Sequence, residues 1–222
     1  MFSVYDILDY IAKFLALMLV LSLHEFAHAF AAVKCGDITP KLNNRYTINP
    51  FAHFDLVGLL SFLLVGFGWA KPVPVNPNNF NKYKRGLFFV SIAGVLMNYV
   101  TSFFIYPLFI LSFLIPQFGF FTYVLQNTLL YIFSFGLSFF VFNLLPLYPL
   151  DGFRVVDALN KKRGKFFMFL RNYGRYILYG LFALSLIADI TELWYIDVLG
   201  MYIDFFVGII QYPITLFWGL IF

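Results

Sequence analysis

Residues 21–33 (LSLHEFAHAFAAV) place two histidines and a glutamate inside an otherwise apolar run near the N-terminus. His24 and His28 are four residues apart, so on a helix both imidazoles project from one face and can bind a single metal ion. Glu25 lies about 100° around such a helix, where it can reach a water molecule on the metal without being a ligand. The spacing predicts a metal centre with Glu25 as its general base.

A catalytic zinc site takes three protein ligands and keeps a fourth position for water. The missing ligand must be a histidine or carboxylate at similar depth. Asp151 ends a long apolar run in NLLPLYPLDGFRV (143–155) and is best placed by order and depth, although a helix-end carboxylate has the same sequence context. Other candidates flank a shorter apolar run or follow the turn, so the residues alone leave the choice open: His53, Asp55 and Asp157.

The elements that position these residues must lie in a bilayer. Of the 222 residues, 62% are hydrophobic and 12% are charged, and the mean hydropathy is +0.84. Soluble domains are about half apolar and about a quarter charged. The sequence therefore predicts an all-α polytopic membrane protein with five to six transmembrane helices in the lipid bilayer. The apolar runs long enough to span are 11–33, 86–115, 118–147, 166–188 and 198–222.

The positions of the basic residues indicate the membrane topology of these runs. Every Lys and Arg except Lys13 lies in one of three stretches, 34–45, 71–85 and 154–175, which the positive-inside rule places in the cytoplasm. A shorter apolar run at 56–69 separates the first two stretches. Because both stretches are placed on the cytoplasmic side, this run must enter and leave the membrane from that side, and we predict that it is a re-entrant segment. The net charge of +4 follows from this placement, and we expect no nucleic-acid partner.

Two segments between the runs have patterns of their own. Residues 38–50 (ITPKLNNRYTINP) alternate weakly around Asn43 and Asn44, which predicts a short β-hairpin. Residues 69–82 (WAKPVPVNPNNFNK) have prolines at positions 72, 74 and 77, so they form neither a helix nor a central strand.

Four motifs in order, HEFAH, FGWAKPVPVNP, AGVLMN and NLLPLYPLDG, resemble the site-2 protease family of intramembrane zinc metalloproteases. The likeness is greatest to compact bacterial members without PDZ or CBS domains. The resemblance implies that His24, His28 and Asp151 bind Zn²⁺ and that Glu25 activates water. It covers about residues 20–157, most of the chain.

The resemblance also implies one membrane-embedded metalloprotease domain over residues 1–222. Its catalytic core lies at about 11–157 and its accessory helices at about 166–222. The implied activity is hydrolysis of peptide bonds in or near transmembrane segments of membrane-anchored protein substrates, as in regulated intramembrane proteolysis. The implied location is the bacterial inner (cytoplasmic) membrane, and the sequence carries no signal for an oligomeric state.

The residues leave two alternatives open, a catalytically inactive membrane scaffold and a divalent-ion transporter that uses intramembrane His and Asp ligands. The transporter would bind its ion in transit and expose the site to each face in turn. The absence of a visible internal repeat and the carboxylate next to a ligand, Glu25, favour the protease.

Three further polar residues are candidates for contact with the substrate or the ligands. Asn98 lies inside a span, where it could donate to the scissile carbonyl or form an interhelical hydrogen bond. Asn143 precedes Pro146 and Pro149, whose loop could hold an extended peptide. For His53, a substrate-loop role and a structural hydrogen bond both fit the sequence.

Overall fold

Helices make up most of the described chain, residues 3–58, 61, 70–116, 118–160 and 162–222 of a computed structural model. Those residues contain no β-strand, and five of their helices are long and apolar enough to cross a membrane. The prediction of an all-α, multi-pass membrane protein is therefore confirmed. In chain order the α-helices whose whole range is described are α1 (Val4–Lys34), α2 (Thr39–Leu42), α3 (Pro50–His53), α4 (Tyr83–Ser112), α5 (Phe120–Asn143), α6 (Asp151–Leu159), α7 (Lys165–Thr191) and α8 (Val198–Gly219).

Local sequence signals set the two ends of α1. Ser3 caps the N-terminus, where its hydroxyl accepts the Asp6 N–H and the Asp6 carboxylate accepts the Ser3 N–H. The helix ends at Lys34, because Gly36 follows with a φ of +107°, a conformation that favours glycine. Small residues on the buried face of α1 let other helices approach closely: Ala12, Ala16, Ala27, Ala29 and Ala32.

Three of the long helices, α1, α4 and α5, pack against one another, and α6 packs against α4. Ala16 and Val20 of α1 are buried against Ile132 of α5. Between α4 and α5, the Ser102 hydroxyl donates to the Phe133 carbonyl at 3.0 Å. The helices α7 and α8 contact each other, and α8 also packs against α5. This arrangement brings the C-terminal half of α1, the middle of α4 and the start of α6 to one place.

Residues 38–50, all of them described, do not form the predicted β-hairpin, so that prediction is wrong. Instead α2 begins beside Pro40, whose missing N–H is tolerated in a first helical turn. The chain then forms a turn, in which Asn44 has a φ of +55° and the Arg45 N–H donates to the Pro40 carbonyl at 2.8 Å. These local hydrogen bonds outweigh a weak alternation of side chains.

The predictions for the next two segments have different outcomes. Most of the predicted re-entrant segment, 56–69, lies outside the described residues, so its path across or into the bilayer stays a prediction. The proline-rich segment is described from Ala70 onward. Between residues 70 and 82 it contains neither an α-helix nor a strand, only a 3-10 turn at Pro77–Asn79, in agreement with its prolines.

Candidate metal centre

The structure brings His24, His28 and Asp151 together in a buried group that we call the metal cluster. Both histidines lie in the C-terminal half of α1, and their Nε2 atoms are 3.0 Å apart. Asp151 is the first residue of α6. Its Oδ2 atom lies 3.3 Å from His24 Nε2 and 3.0 Å from His28 Nε2. Two helices that are distant in the sequence thus present three ligand atoms to a single point.

The metal cluster fits a zinc ion. Its three atoms are buried, and Asp151 Oδ2 has no hydrogen-bond partner among the described residues. Ligands at about 2.0–2.1 Å from a tetrahedral zinc lie about 3.3 Å from each other, close to the observed 3.0–3.3 Å. Two imidazoles and one carboxylate are also a donor set that catalytic zinc takes, with one position left for water.

The backbone of α4 orients one imidazole. His28 Nδ1 lies 2.7 Å from the Val90 carbonyl oxygen. A carbonyl oxygen only accepts hydrogen bonds, so Nδ1 carries the proton and Nε2 presents its lone pair to the metal cluster. This partner could not be predicted from the sequence, because a backbone carbonyl has no sequence signal. The other imidazole, of His24, meets the side chain of Asn98, whose Nδ2 lies 3.0 Å from His24 Nδ1.

Gly94 of α4 makes room for both imidazoles. A Cβ atom at this position would lie 2.4 Å from His28 Nε2 and 2.9 Å from His24 Cε1. Both separations are shorter than any ordinary contact, and the two rings are held by their own hydrogen bonds. The glycine of the AGVLMN motif is therefore required by the two histidines and not by the backbone of its own helix.

We expect Gly94→Ala to weaken zinc binding by about 10- to 100-fold, the range typical of changes beside metal ligands. The added methyl group would displace the imidazoles from the metal cluster. Gly180→Ala is the matched control, because a Cβ there meets no atom within 4 Å. Zinc affinity would be measured by competition with a chelator. Equal affinities of the two variants would contradict the steric argument.

Glu25 is held by the proline-rich segment. Its Oε2 atom accepts the Val73 N–H at 2.8 Å, and the Lys71 N–H on the same segment donates to the His53 carbonyl at 2.9 Å. Pro72 and Pro74 have no N–H, so the amide of Val73 is the only backbone donor over those three residues. One carboxylate oxygen of Glu25 is thereby fixed by the main chain.

Asp37, just after α1, holds the far end of this segment. Its carboxylate is buried and accepts the Asn76 N–H at 2.7 Å and the Asn79 side-chain amide at 2.9 Å. Burial by itself would raise the pKa of Asp37, but hydrogen bonds from Thr39, Asn79 and Asn76 outweigh it and lower the pKa below its ordinary value. The ionised carboxylate therefore ties the loop beside Glu25 to the end of the helix that carries the metal ligands.

Two of the predicted candidates lie outside the metal cluster. His53 is buried in α3, where its Nε2 lies 2.7 Å from the Thr47 carbonyl oxygen, and its Nδ1 has no hydrogen-bond partner in the described structure. Asn143 donates its side-chain amide to the Phe139 carbonyl of its own helix at 3.0 Å. Contacts of either residue with a substrate stay predictions.

The other carboxylates considered as the third ligand have different partners. Asp55 accepts the Gly58 N–H at 2.8 Å, and Asp157 lies 3.3 Å from the Arg163 guanidinium on the surface. Neither belongs to the metal cluster, which leaves Asp151 in the third position. Its second oxygen, Oδ1, lies 3.8 Å from the Arg154 guanidinium.

Comparison with known proteins points to the same chemistry. A protein of Bacillus subtilis (strain 168) named "Putative zinc metalloprotease YwhC" is 39% identical to this chain over 161 residues. The aligned region covers 65% of this chain and 67% of that protein. No protein-family model and no solved structure matches the chain.

Proposed function

This chain belongs to the site-2 protease family of zinc metalloproteases, and from that membership we propose that it cleaves membrane-anchored proteins in or near their transmembrane segments. The observation that carries the proposal is the buried metal cluster with Glu25 beside it, inside a bundle of helices that are long and apolar enough to cross a membrane. We further propose an inner-membrane location, with the basic stretches in the cytoplasm.

Each residue of the site has a role in peptide hydrolysis. His24, His28 and Asp151 would hold Zn²⁺, which when bound supplies a Lewis acid for the carbonyl and lowers the pKa of water toward about 7. Glu25 takes the proton from the attacking water and passes it to the leaving amine. The Val73 N–H keeps the Glu25 carboxylate in a fixed orientation while it does so.

The substrate must be locally unwound to reach this site. In a helix each peptide carbonyl accepts a hydrogen bond from the N–H one turn away. The surrounding helix backbone therefore shields the carbonyl carbon from attack. Glu25 itself contacts a segment of this chain that is neither α-helix nor strand, at Val73. We propose that the scissile bond of the substrate is presented in a non-helical form, and that substrates with helix-weakening glycine or proline near the bond are favoured.

We expect Val73→Pro to lower the cleavage rate by roughly 10- to 100-fold, which is what loss of a hydrogen bond to a charged group costs. The proline removes the N–H that Glu25 accepts and leaves the metal ligands untouched, so zinc content should not change. Val73→Ala is the control, because it removes the buried side chain but keeps the N–H. Rates would be measured at saturating substrate, and a similar loss in both variants would mean that packing, and not the amide, matters.

Membrane proteomics tests the proposed function. Cells carrying the intact chain would be compared with cells carrying Glu25→Gln, and single-span membrane proteins should accumulate uncleaved in the second. The purified chain in liposomes would also be tested for zinc flux with an internal dye. Zinc flux without any accumulating protein would favour the ion transporter and contradict the protease.

A further inference from the structure

The amide of Asn98 faces the ring nitrogen of His24 that points away from the metal cluster. Asn98 is only 1% exposed, and its Nδ2 lies 3.0 Å from His24 Nδ1. Its Oδ1 is buried and has no hydrogen-bond partner within the described part of the chain. Such an unsatisfied buried oxygen is uncommon, since buried side-chain polar atoms are hydrogen-bonded in the large majority of cases.

The position of His24 decides which of its nitrogens carries a proton. Its Nε2 lies 3.0 Å from His28 Nε2 and 3.3 Å from Asp151 Oδ2, so this atom must offer a lone pair if the cluster binds zinc. A neutral imidazole carries one proton, which then belongs on Nδ1. An Nδ1–H group needs an acceptor, and the only acceptor in the Asn98 amide is Oδ1.

We propose that Asn98 accepts the His24 Nδ1–H hydrogen bond through Oδ1 and so fixes the tautomer in which His24 binds zinc. The amide reaches this arrangement by a half-turn about its last side-chain bond, which exchanges two atoms of nearly equal size. The unpaired oxygen then gains a partner. This inference rests on the proposed zinc site, and it makes Asn98 a positioning residue that acts through His24.

The two histidines of the cluster then have equivalent support. The Val90 carbonyl accepts from His28 Nδ1 at 2.7 Å. In the proposed orientation, the Asn98 oxygen accepts from His24 Nδ1 from the position where Nδ2 now lies, 3.0 Å away. Both acceptors lie on α4, two turns apart on one face. Hydrogen bonds of this kind orient metal-binding imidazoles and raise their basicity, and their loss weakens metal affinity by about 10- to 100-fold.

Variants at position 98 distinguish the two orientations of the amide. Asn98→Leu has a similar size but no acceptor, so zinc affinity should fall by about 10- to 100-fold. Asn98→Asp keeps an oxygen in the same place and should restore most of that affinity. If Asn98 instead donated to His24 through Nδ2, the aspartate would lose as much affinity as the leucine, and that result would overturn the proposal.

Ser102→Ala is the matched control for a purely structural role. Ser102 lies one turn further along α4 and donates to the Asn98 and Phe133 carbonyls at 3.1 and 3.0 Å. Its loss removes an interhelical hydrogen bond without touching His24, so zinc affinity should stay unchanged. A loss as large as that of Asn98→Leu would show that helix packing explains both, and would overturn the proposal.

Nitrogen-15 spectra of histidine report the tautomer directly, and the chain has only three histidines. In the zinc-loaded protein, His24 and His28 should both show a protonated Nδ1 and a metal-bound Nε2. In Asn98→Leu the His24 Nδ1–H signal should shift or be lost to exchange, whereas that of His28 stays. An unchanged His24 signal would overturn the proposal. A wild-type chain that takes up no zinc would overturn the proposed function and this inference together.

Discussion

Replacing Glu25 by glutamine is expected to leave zinc binding unchanged and to lower the cleavage rate by about 10²- to 10⁴-fold, the usual contribution of a general acid–base group. Glutamine has the same shape, and its amide oxygen can still accept the Val73 N–H that now lies 2.8 Å from Oε2. It cannot take a proton from water, so the chemical step alone is affected. Single-turnover cleavage of a single-span substrate in liposomes, with zinc content measured on the same sample, checks both parts.

The chain supplies a matched control for this substitution. Its other glutamate, Glu192, lies just beyond the C-terminal end of α7 and has no part in the metal cluster. Glu192→Gln makes the same chemical change and should leave the rate unaltered. Normal turnover by Glu25→Gln, or a loss of zinc in that variant, would show that Glu25 is not the base.

Replacing Asp151 by alanine is expected to abolish cleavage and to weaken zinc binding by at least about 100-fold. This loss of affinity is larger than the loss usually caused by changing residues that only hydrogen-bond to the ligands. Two imidazoles on one helix would remain, without the carboxylate that lies 3.0 and 3.3 Å from them. A ligand that binds only the folded chain stabilises it, so zinc should raise the melting temperature of the wild type and have little effect on the variant. Thermal unfolding with added zinc and with chelator measures this difference.

Asp157→Ala provides the comparison on the same helix. Asp157 pairs with Arg163 at 3.3 Å near the surface, an interaction worth at most about 1 kcal/mol. This variant should keep the melting-temperature response to zinc. If Asp151→Ala kept it too, the third ligand would have to be a different residue, and the metal cluster would not be the zinc site.

Short-range periodicity predicted the parts of this protein that depend on a single helix. The spacing of His24 and His28 indicates one helical face, with Glu25 about 100° around the helix, and the structure has all three in α1. The five long apolar runs coincide with the five helices that, among the described residues, are long enough to cross a membrane, because length and hydropathy are properties of each segment by itself. The prediction of a β-hairpin at residues 38–50 was wrong for a related reason. The Thr39 N–H that donates to the Asp37 carboxylate and the turn at Asn44 outweighed a weak alternation of side chains.

The third metal ligand could not be chosen from the residues alone, because the choice depends on how separate helices pack. Asp151 and Asp55 look alike as isolated carboxylates, and only the packing of α6 against α4 brings the first to the imidazoles of α1. The resemblance to a known family had named Asp151, but the residues by themselves left it one of several possibilities.

The sequence by itself determined that this is a helical membrane protein with two imidazoles on one helix face and a carboxylate about 100° around the same helix. Only the tertiary structure decided what surrounds them: the space left by Gly94, the Val90 carbonyl, the amide of Asn98 and the N–H of Val73. The reason is physical. These partners are backbone groups, a missing side chain and an amide on other segments, and their effect lies in distances that no periodicity within one segment encodes.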